Sequence, residues 1–246
     1  APGTYCPDDL EIDALDVDGD EDRDIVLATC LDTLFVLKNN GSAVFSPAST
    51  VQVGLSPSAV AGGDFDGDGD VDLVTNTGTQ GYVDVVLNNG TGTYGPPFTY
   101  QAGRGVERIA VADMNADGKL DLICAYTLDG SGMSYLEGRG NGTFKPPQNH
   151  HGSYPSTPES IVAADVDGDG DLDALVANFG SQDVSLWRNR GDGTFDPLVR
   201  LGVGQPGTDL AVADFTGDGV VDLLTGVRPS AGWYWPGAVL LPGIPD

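Results

Sequence analysis

Five stretches of this chain place carboxylates two residues apart. The fullest is Asp165-Val-Asp-Gly-Asp-Gly-Asp-Leu-Asp173, with acidic side chains at loop positions 1, 3, 5, 7 and 9 and a glycine at position 6. Oxygens spaced this way can converge on one hard cation, and the glycine permits the positive φ of a tight turn. Without a counter-charge the aspartates of such a turn repel one another, and a divalent ion reverses the sign of that energy. The chemistry expected of these residues is calcium coordination.

The first copy comprises Asp16, Asp18, Asp20, Asp22 and Asp24, and the second Asp64, Asp66, Asp68, Asp70 and Asp72. The third has Asp113, Asn115, Asp117, Lys119 and Asp121, the fourth Asp165, Asp167, Asp169, Asp171 and Asp173, and the fifth Asp214, Thr216, Asp218, Val220 and Asp222. Successive copies start 48, 49, 52 and 49 residues apart. One Asp-Gly cluster would read as an ordinary polar turn. Five in register mark a structural repeat of the length found in propellers and solenoids.

The elements that must position these loops follow the same period. A short apolar strand enters each loop, as Ile109-Ala-Val-Ala112 does, and a second leaves it, as in Asp121-Leu-Ile-Cys-Ala125. A variable loop leads to a third strand such as Val83-Asp-Val-Val-Leu87, then to a glycine-rich turn such as Asn88–Tyr94, Gly138–Phe144 or Asn189–Phe195. Such turns supply the positive φ of hairpins. A fourth stretch, Val51–Val53 or Phe98–Tyr100, reaches the next repeat. Four short strands rich in Val, Leu, Ile and aromatics per unit of about 50 residues predict an all-β protein, a β-propeller of four-stranded blades. The blades fall at about 10–58, 59–107, 108–159, 160–209 and 210–246 within a single domain spanning 1–246. Small residues, Ala110, Ala112, Ala163, Ala164, Ala211 and Ala213, suit strands crowded round an axis. The fifth repeat lacks its fourth strand, and Gly3–Cys6 precede Asp16 by the offset of an outer strand. Residues 1–9 are therefore expected to close a ring of five blades and protect its open edge.

Composition narrows the function. In 246 residues, 11 basic against 37 acidic side chains leave a formal charge of −26, which excludes a nucleic-acid partner and an anionic membrane surface. More than half of the acids lie in the five loops, so the acidity reports cation binding more than fold. No apolar run approaches the ~20 residues of a membrane-spanning helix. No charged-then-apolar leader opens the chain, and Ala1-Pro-Gly-Thr reads as a trimmed start. Low-affinity calcium modules are typical of extracellular fluid, so an extracellular, secreted or cell-surface location is expected. Three cysteines are too few for a disulfide framework. Cys6 and Cys30 either pair or remain two thiols, and Cys124 reads as a small core residue.

The pattern Asp-x-Asp/Asn-x-Asp-Gly-x-x-Asp with an apolar strand after it, followed by Asn-x-Gly-x-Gly-Thr-Phe, resembles the FG-GAP/VCBS repeats of integrin α-subunit propellers and of many bacterial secreted proteins. The resemblance runs from about Leu10 to Leu241. It implies a calcium-binding β-propeller holding up to five Ca2+ ions, with side-chain ligands at loop positions 1, 3, 5 and 9 and a main-chain carbonyl at position 7. That carbonyl belongs to Asp22, Asp70, Lys119, Asp171 or Val220. Sites two and four keep the full pattern. Site three has Asn115 at position 3, site five has Thr216 there, and site one has Glu21 where the turn wants glycine. The expected order of affinity is two and four, then three, then one and five.

Five equivalent loops with full coordination shells suit a scaffold and leave no open position for substrate. His150 and His151 are adjacent, face opposite sides of any strand, and form no shared metal site. The chain is therefore expected to be no enzyme and to have no catalytic residue. Ligand binding is expected on the face opposite the calcium loops, where the variable loops carry Tyr82, Arg104, Tyr126, Phe179, Trp233, Tyr234 and Trp235, residues suited to a carbohydrate or protein ligand. The competing reading packs these aromatics between blades. In a function of another class, Gly3–Cys6 pairs with a neighbouring molecule, and the chain becomes the structural subunit of an extracellular filament or surface assembly. Asn40, Asn89 and Asn141 lie in Asn-x-Ser/Thr sequons on expected hairpin tips.

Overall fold

The computed structural model describes residues 11–29, 31–152, 156–228 and 237–243. Among the described residues nineteen strands form five antiparallel sheets, and the helical content is a single 3-10 turn at Gly78–Gln80. The first sheet contains β1 (Ile12–Leu15), β2 (Asp24–Ala28), β3 (Thr33–Asn39) and β4 (Phe45–Gln52). The second contains β5 (Val60–Gly63), β6 (Asp72–Asn76), β7 (Tyr82–Val86) and β8 (Phe98–Gln101). The third has β9 (Val106–Ala112), β10 (Asp121–Tyr126), β11 (Gly132–Leu136) and β12 (Gln148–His151). The fourth has β13 (Pro158–Ala164), β14 (Asp173–Asn178), β15 (Asp183–Trp187) and β16 (Val199–Gly202). The fifth has three described strands, β17 (Gly207–Ala213), β18 (Asp222–Val227) and β19 (Gly237–Leu241). In each sheet the strands follow chain order, so every connection within a sheet is a hairpin. The expected outer strand at Gly3–Cys6 and the pairing of Cys6 with Cys30 lie outside the described residues, as does Trp233-Tyr234-Trp235.

The sheets stack face to face. First strands pack in succession, β1 on β5, β5 on β9, β9 on β13 and β13 on β17. Each junction has its own apolar core. Val26, Val36 and Leu73 fill the first, Val74, Leu122 and Cys124 the second, Ile123, Tyr135 and Val176 the third, and Leu175, Leu186 and Leu223 the fourth. Because both faces of the middle sheets are covered, β10 and β14 are buried at every residue, and their centres, Leu122–Ala125 and Ala174–Ala177, are continuous apolar runs rather than alternating ones. β2, by contrast, alternates buried and half-buried residues, and among the described residues its sheet packs mainly on the second sheet.

The two ends of the stack differ from the middle. On the first sheet Ile12 and Phe35 are exposed, and on the last Phe215 and Leu240 are exposed. Phe215 occupies position 2 of its Asp loop. The corresponding Val17, Phe65, Met114 and Val166 are all buried against the following sheet. Phe65 meets Phe144 of the third sheet's hairpin edge-to-face at 5.6 Å between centroids. At the inner edge, Glu11, Arg108, Glu159 and Asp209, from the first, third, fourth and fifth repeats, line one cavity of about 280 Å³. Residues of the first and last repeats thus border the same cavity.

Candidate metal loops and an opposite-face cleft

Each Asp loop connects the first two strands of its sheet and is built on hydrogen bonds to its own aspartates. The position-1 carboxylate closes the turn: Asp64 accepts the N–H groups of Gly67 and Gly69 at 2.7 and 3.0 Å, and Asp165 accepts those of Gly168 and Gly170 at 2.8 and 3.0 Å. The position-5 carboxylate accepts the N–H of position 7, as Asp68 does from Asp70 and Asp169 from Asp171, both at 2.9 Å. Gly69 and Gly170, at position 6, have φ of 94° and 96°, the left-handed conformation anticipated there. In the first loop Glu21 takes the same place with φ of 71°. The residue that put that loop in question is held in the turn all the same.

The position-9 aspartate is the deepest part of each loop. Asp24, Asp72, Asp121, Asp173 and Asp222 are all buried. One oxygen of each accepts the N–H of loop position 2, and the other accepts an N–H at or just beyond the end of the third strand. For Asp72 the donors are Phe65 at 2.9 Å and Asn88 at 2.8 Å, and for Asp173 they are Val166 at 3.2 Å and Asn189 at 2.8 Å. The hairpin asparagine then joins two sheets. Asn88 donates its side-chain amide to the carbonyl of Val71 in its own loop and to that of Val17 in the preceding one, at 3.0 and 2.8 Å. Asn189 does the same with Leu172 and Met114. In the third repeat this place belongs to Gly138, and the N–H of Gly142 caps the Phe65 carbonyl instead. These clamps were not anticipated from the sequence, where the asparagines read as turn formers. Their recurrence at Asn39, Asn88 and Asn189 was the available signal.

In three loops, carboxylate oxygens from positions 1, 3 and 9 lie within 4.8 Å of one another: Asp16, Asp18 and Asp24; Asp64, Asp66 and Asp72; Asp165, Asp167 and Asp173. The third loop has the Asn115 amide at position 3, and the fifth has Thr216, whose N–H donates to Asp222. The donor set is all oxygen, which suits a hard cation. The electrostatics agree. Burial pushes the Asp72 and Asp173 carboxyls up to about 6, opposed by their backbone hydrogen bonds and reinforced by the neighbouring aspartates. Negative charge is thus gathered where solvent cannot screen it, and a divalent ion in the trio would relieve that cost.

The antiparallel connections put the loops between second and third strands on the opposite face, with those between successive sheets. There Tyr82, Arg104 and Tyr126, three of the residues singled out above, line one cavity of about 340 Å³ between the second and third sheets. Asp129, Asn149 and His151 complete its polar wall. The Tyr126 hydroxyl lies 3.2 Å from His151 Nδ1, and Arg104 pairs with Asp129 at 3.4 Å, both groups of that pair being exposed. Asp129 was not singled out from the sequence, and His151 was weighed there only as a metal ligand with His150. A neighbouring hollow of about 410 Å³ shares Gln80 and is walled by Ser56, Thr77 and Thr79. Phe179 is elsewhere, beneath the Arg228 guanidinium at 5.7 Å. His150 and His151 leave β12 in different directions: His150 packs on Phe195, its pKa lowered by burial. Cys124 is a buried thiol pushed up to about 12 by burial, which makes it inert. Asn40, Asn89 and Asn141 are exposed.

An FG-GAP-like repeat family matches residues 16–75, 64–124, 113–176 and 172–225. Among solved structures, the chain is similar to an Agrocybe aegerita lectin studied for specific recognition of non-reducing terminal N-acetylglucosamine, at TM-score 0.60 and 22% identity, covering 98% of this chain and 68% of that one. It is also similar to BBS1N, solved in complex with ARL6DN, at TM-score 0.56 and 15% identity, covering 88% of this chain and 61% of that one. The V. cholerae biofilm matrix protein Bap1 matches at TM-score 0.54 and 19% identity, over 94% of this chain and 37% of Bap1. The chain thus spans less than two thirds of the latter two, and at these identities the likeness concerns the fold. No curated protein matches the sequence.

The raised carboxyls carry a pH signature. Asp72 and Asp173 titrate near 6 in the folded metal-free chain, above the unfolded value of about 3.9. Between those values the folded state holds more protons than the unfolded one, so their contribution to stability is full below about pH 4 and is lost as pH rises through 6. Metal-stripped Asp72→Asn protein is expected to lose part of this dependence, read as a flatter curve of melting temperature between pH 4.5 and 7.

Proposed function

Because the chain belongs to the FG-GAP-like repeat family, we propose that it is a secreted, calcium-stabilised binding module without catalytic activity, carrying its ligand in the cleft between the second and third repeats. The observation that carries this reading is the convergence of Tyr82, Arg104, Tyr126 and His151 on one cavity, on the face away from the Asp loops. A half-buried tyrosine, an exposed guanidinium and amide and imidazole groups around a hollow form a surface that stacks on a sugar ring and binds its hydroxyls. The same groups suit a protein loop. The structural similarity to a lectin that recognises terminal N-acetylglucosamine supports carbohydrate as the first class to test. Arg104→Ala and Tyr82→Ala are each expected to weaken capture by a panel of immobilised glycans at least tenfold, and Arg104→Ala, at an exposed side chain, to leave the melting temperature within about two degrees, since exposed substitutions cost little stability. Binding by both variants at the level of the parent would remove the cleft from consideration.

Calcium is the metal this reading assigns to the loops, with the position-9 carboxylate as the buried ligand and positions 1 and 3 completing the trio. An ion there stabilises the folded chain by mass action. Its use fits extracellular fluid, where low-affinity calcium sites stay filled. Chelation is expected to lower the melting temperature by many degrees and added calcium to restore it. A melting curve unaffected by removal of verified bound metal would end the calcium reading.

The fold proposed for this function is a ring of five blades, with Gly3–Cys6 as the outer strand of the last. In its support, Glu11 and Asp209 line the same axial cavity. Closure would cover Phe215 and Ile12, the apolar residues now exposed at the two ends. In a closed monomer Phe215→Ala should cost about 3 kcal/mol, as expected for its buried counterpart Phe65→Ala. A second reading, a subunit of an extracellular assembly, draws on the same exposed faces, which would then meet different molecules. A Phe215→Ala cost below about 0.5 kcal/mol with a monomeric mass by light scattering would refute both closure and assembly through this face.

A further inference from the structure

Two of the carboxylate trios are accompanied by a basic side chain and one is not. Lys38 and Arg188 occupy the same place in their repeats, immediately before the hairpin residues Asn39 and Asn189. Lys38 Nζ lies 2.9 Å from Asp18 Oδ2, and it also donates to the carbonyl of Thr91, in the hairpin of the second repeat, at 2.8 Å. Arg188 Nε lies 3.1 Å from Asp167 Oδ2, with 17% of each side chain exposed. Asp18 and Asp167 are both position-3 residues, members of the trios in the first and fourth loops. In the second repeat the equivalent residue is Leu87, and among the described residues no ion pair reaches Asp64, Asp66 or Asp72. The charges acting on Asp66 come from Asp68 and Asp64, both of the same sign.

We propose that Lys38 and Arg188 are resident counter-ions, which hold the first and fourth loops together when metal leaves and weaken the grip of those loops on a divalent cation when it is present. The second loop, with Leu87 in that place, is the one whose structure depends on metal. The physical reasoning has two parts. A cation at 3 Å from a position-3 carboxylate satisfies part of the attraction that a metal would otherwise supply, so less is gained on binding. Where both charges are present, the ammonium or guanidinium and the divalent ion repel each other across one carboxylate, in surroundings where such pairs are poorly screened. Both effects are absent from the second loop. Two loops with identical ligand residues, the second and the fourth, are therefore set to different affinities by a residue outside the ligand set. This rests on the calcium reading above, and it adds which loop is filled first and which residue decides.

The test uses the full chain and calcium alone as the probe. Arg188→Gln, Lys38→Gln and Leu87→Arg are compared with the parent by calorimetric calcium titration and by melting temperature, each with calcium and after metal stripping. The two glutamine variants are expected to widen the difference in melting temperature between loaded and stripped protein, and to strengthen a weak calcium-binding step by about tenfold, the change expected for one partly screened charge a few ångström from the ion. Leu87→Arg is expected to narrow the difference and to weaken the tightest step by a similar factor. Glutamine variants that match the parent in both measurements would overturn the proposal, whether or not Leu87→Arg folds. A parent protein with no difference between loaded and stripped forms would instead overturn the calcium reading itself.

Discussion

Every sheet of this protein depends on one buried carboxylate that accepts two main-chain hydrogen bonds. The aspartate at loop position 9 begins the second strand, and its two oxygens face in different directions along the fold: one toward the N–H of loop position 2, the other toward the N–H that follows the third strand. Three strands are thereby fixed at one end by a single side chain. A buried carboxylate with its charge intact is costly, and backbone donors offset only part of that cost. Gathering two more carboxylates beside it raises the cost further. A cation in the trio, as proposed above, would allow the deep aspartate to stay ionised and keep both N–H groups.

The loops also link neighbouring sheets, through position 2. Its side chain packs into the next core, and its carbonyl is capped from the next hairpin, by Asn88 for Val17, by Gly142 for Phe65 and by Asn189 for Met114. A loop that loses its shape therefore disturbs two sheets. Local order in the loop and packing between sheets are parts of one cooperative structure, as expected of arrays in which each repeat touches only its neighbours.

Much of the fold was legible in the sequence because the Asp motif, the strands and the hairpin turns share a period. The motif marked where each sheet begins, and apolar runs such as Leu122-Ile-Cys-Ala125 announced the strand that leaves each loop. The carboxylate trios were legible for the same reason: Asp64, Asp66 and Asp72, or Asp165, Asp167 and Asp173, are close in sequence and meet within one turn. What was not legible depends on contacts between repeats. Nothing at Asn88 or Lys38 reveals that they reach a neighbouring repeat, and the meeting of Arg104 with Asp129 and of Tyr126 with His151 depends on how adjacent sheets stack. Phe179 has the composition of a ligand-face residue, but its place beside Arg228 puts it away from Tyr82. Motifs within one repeat survive translation into sequence; pairings across a junction do not.

Gly138 bears on how such a chain can change over generations. The other described hairpins of the four-stranded sheets begin with asparagine at this point, whereas a Cβ on Gly138 would stand 2.0 Å from the carbonyl oxygen of Leu120, closer than atoms can approach. The third hairpin has been fitted to its own surroundings, and its neighbour Gly142 has taken over the capping of Phe65. Recombination that exchanged the second and third hairpins would force an asparagine side chain into that backbone. Repeats that read alike in sequence are here not spare parts for one another, and their order along the chain is part of what the fold requires.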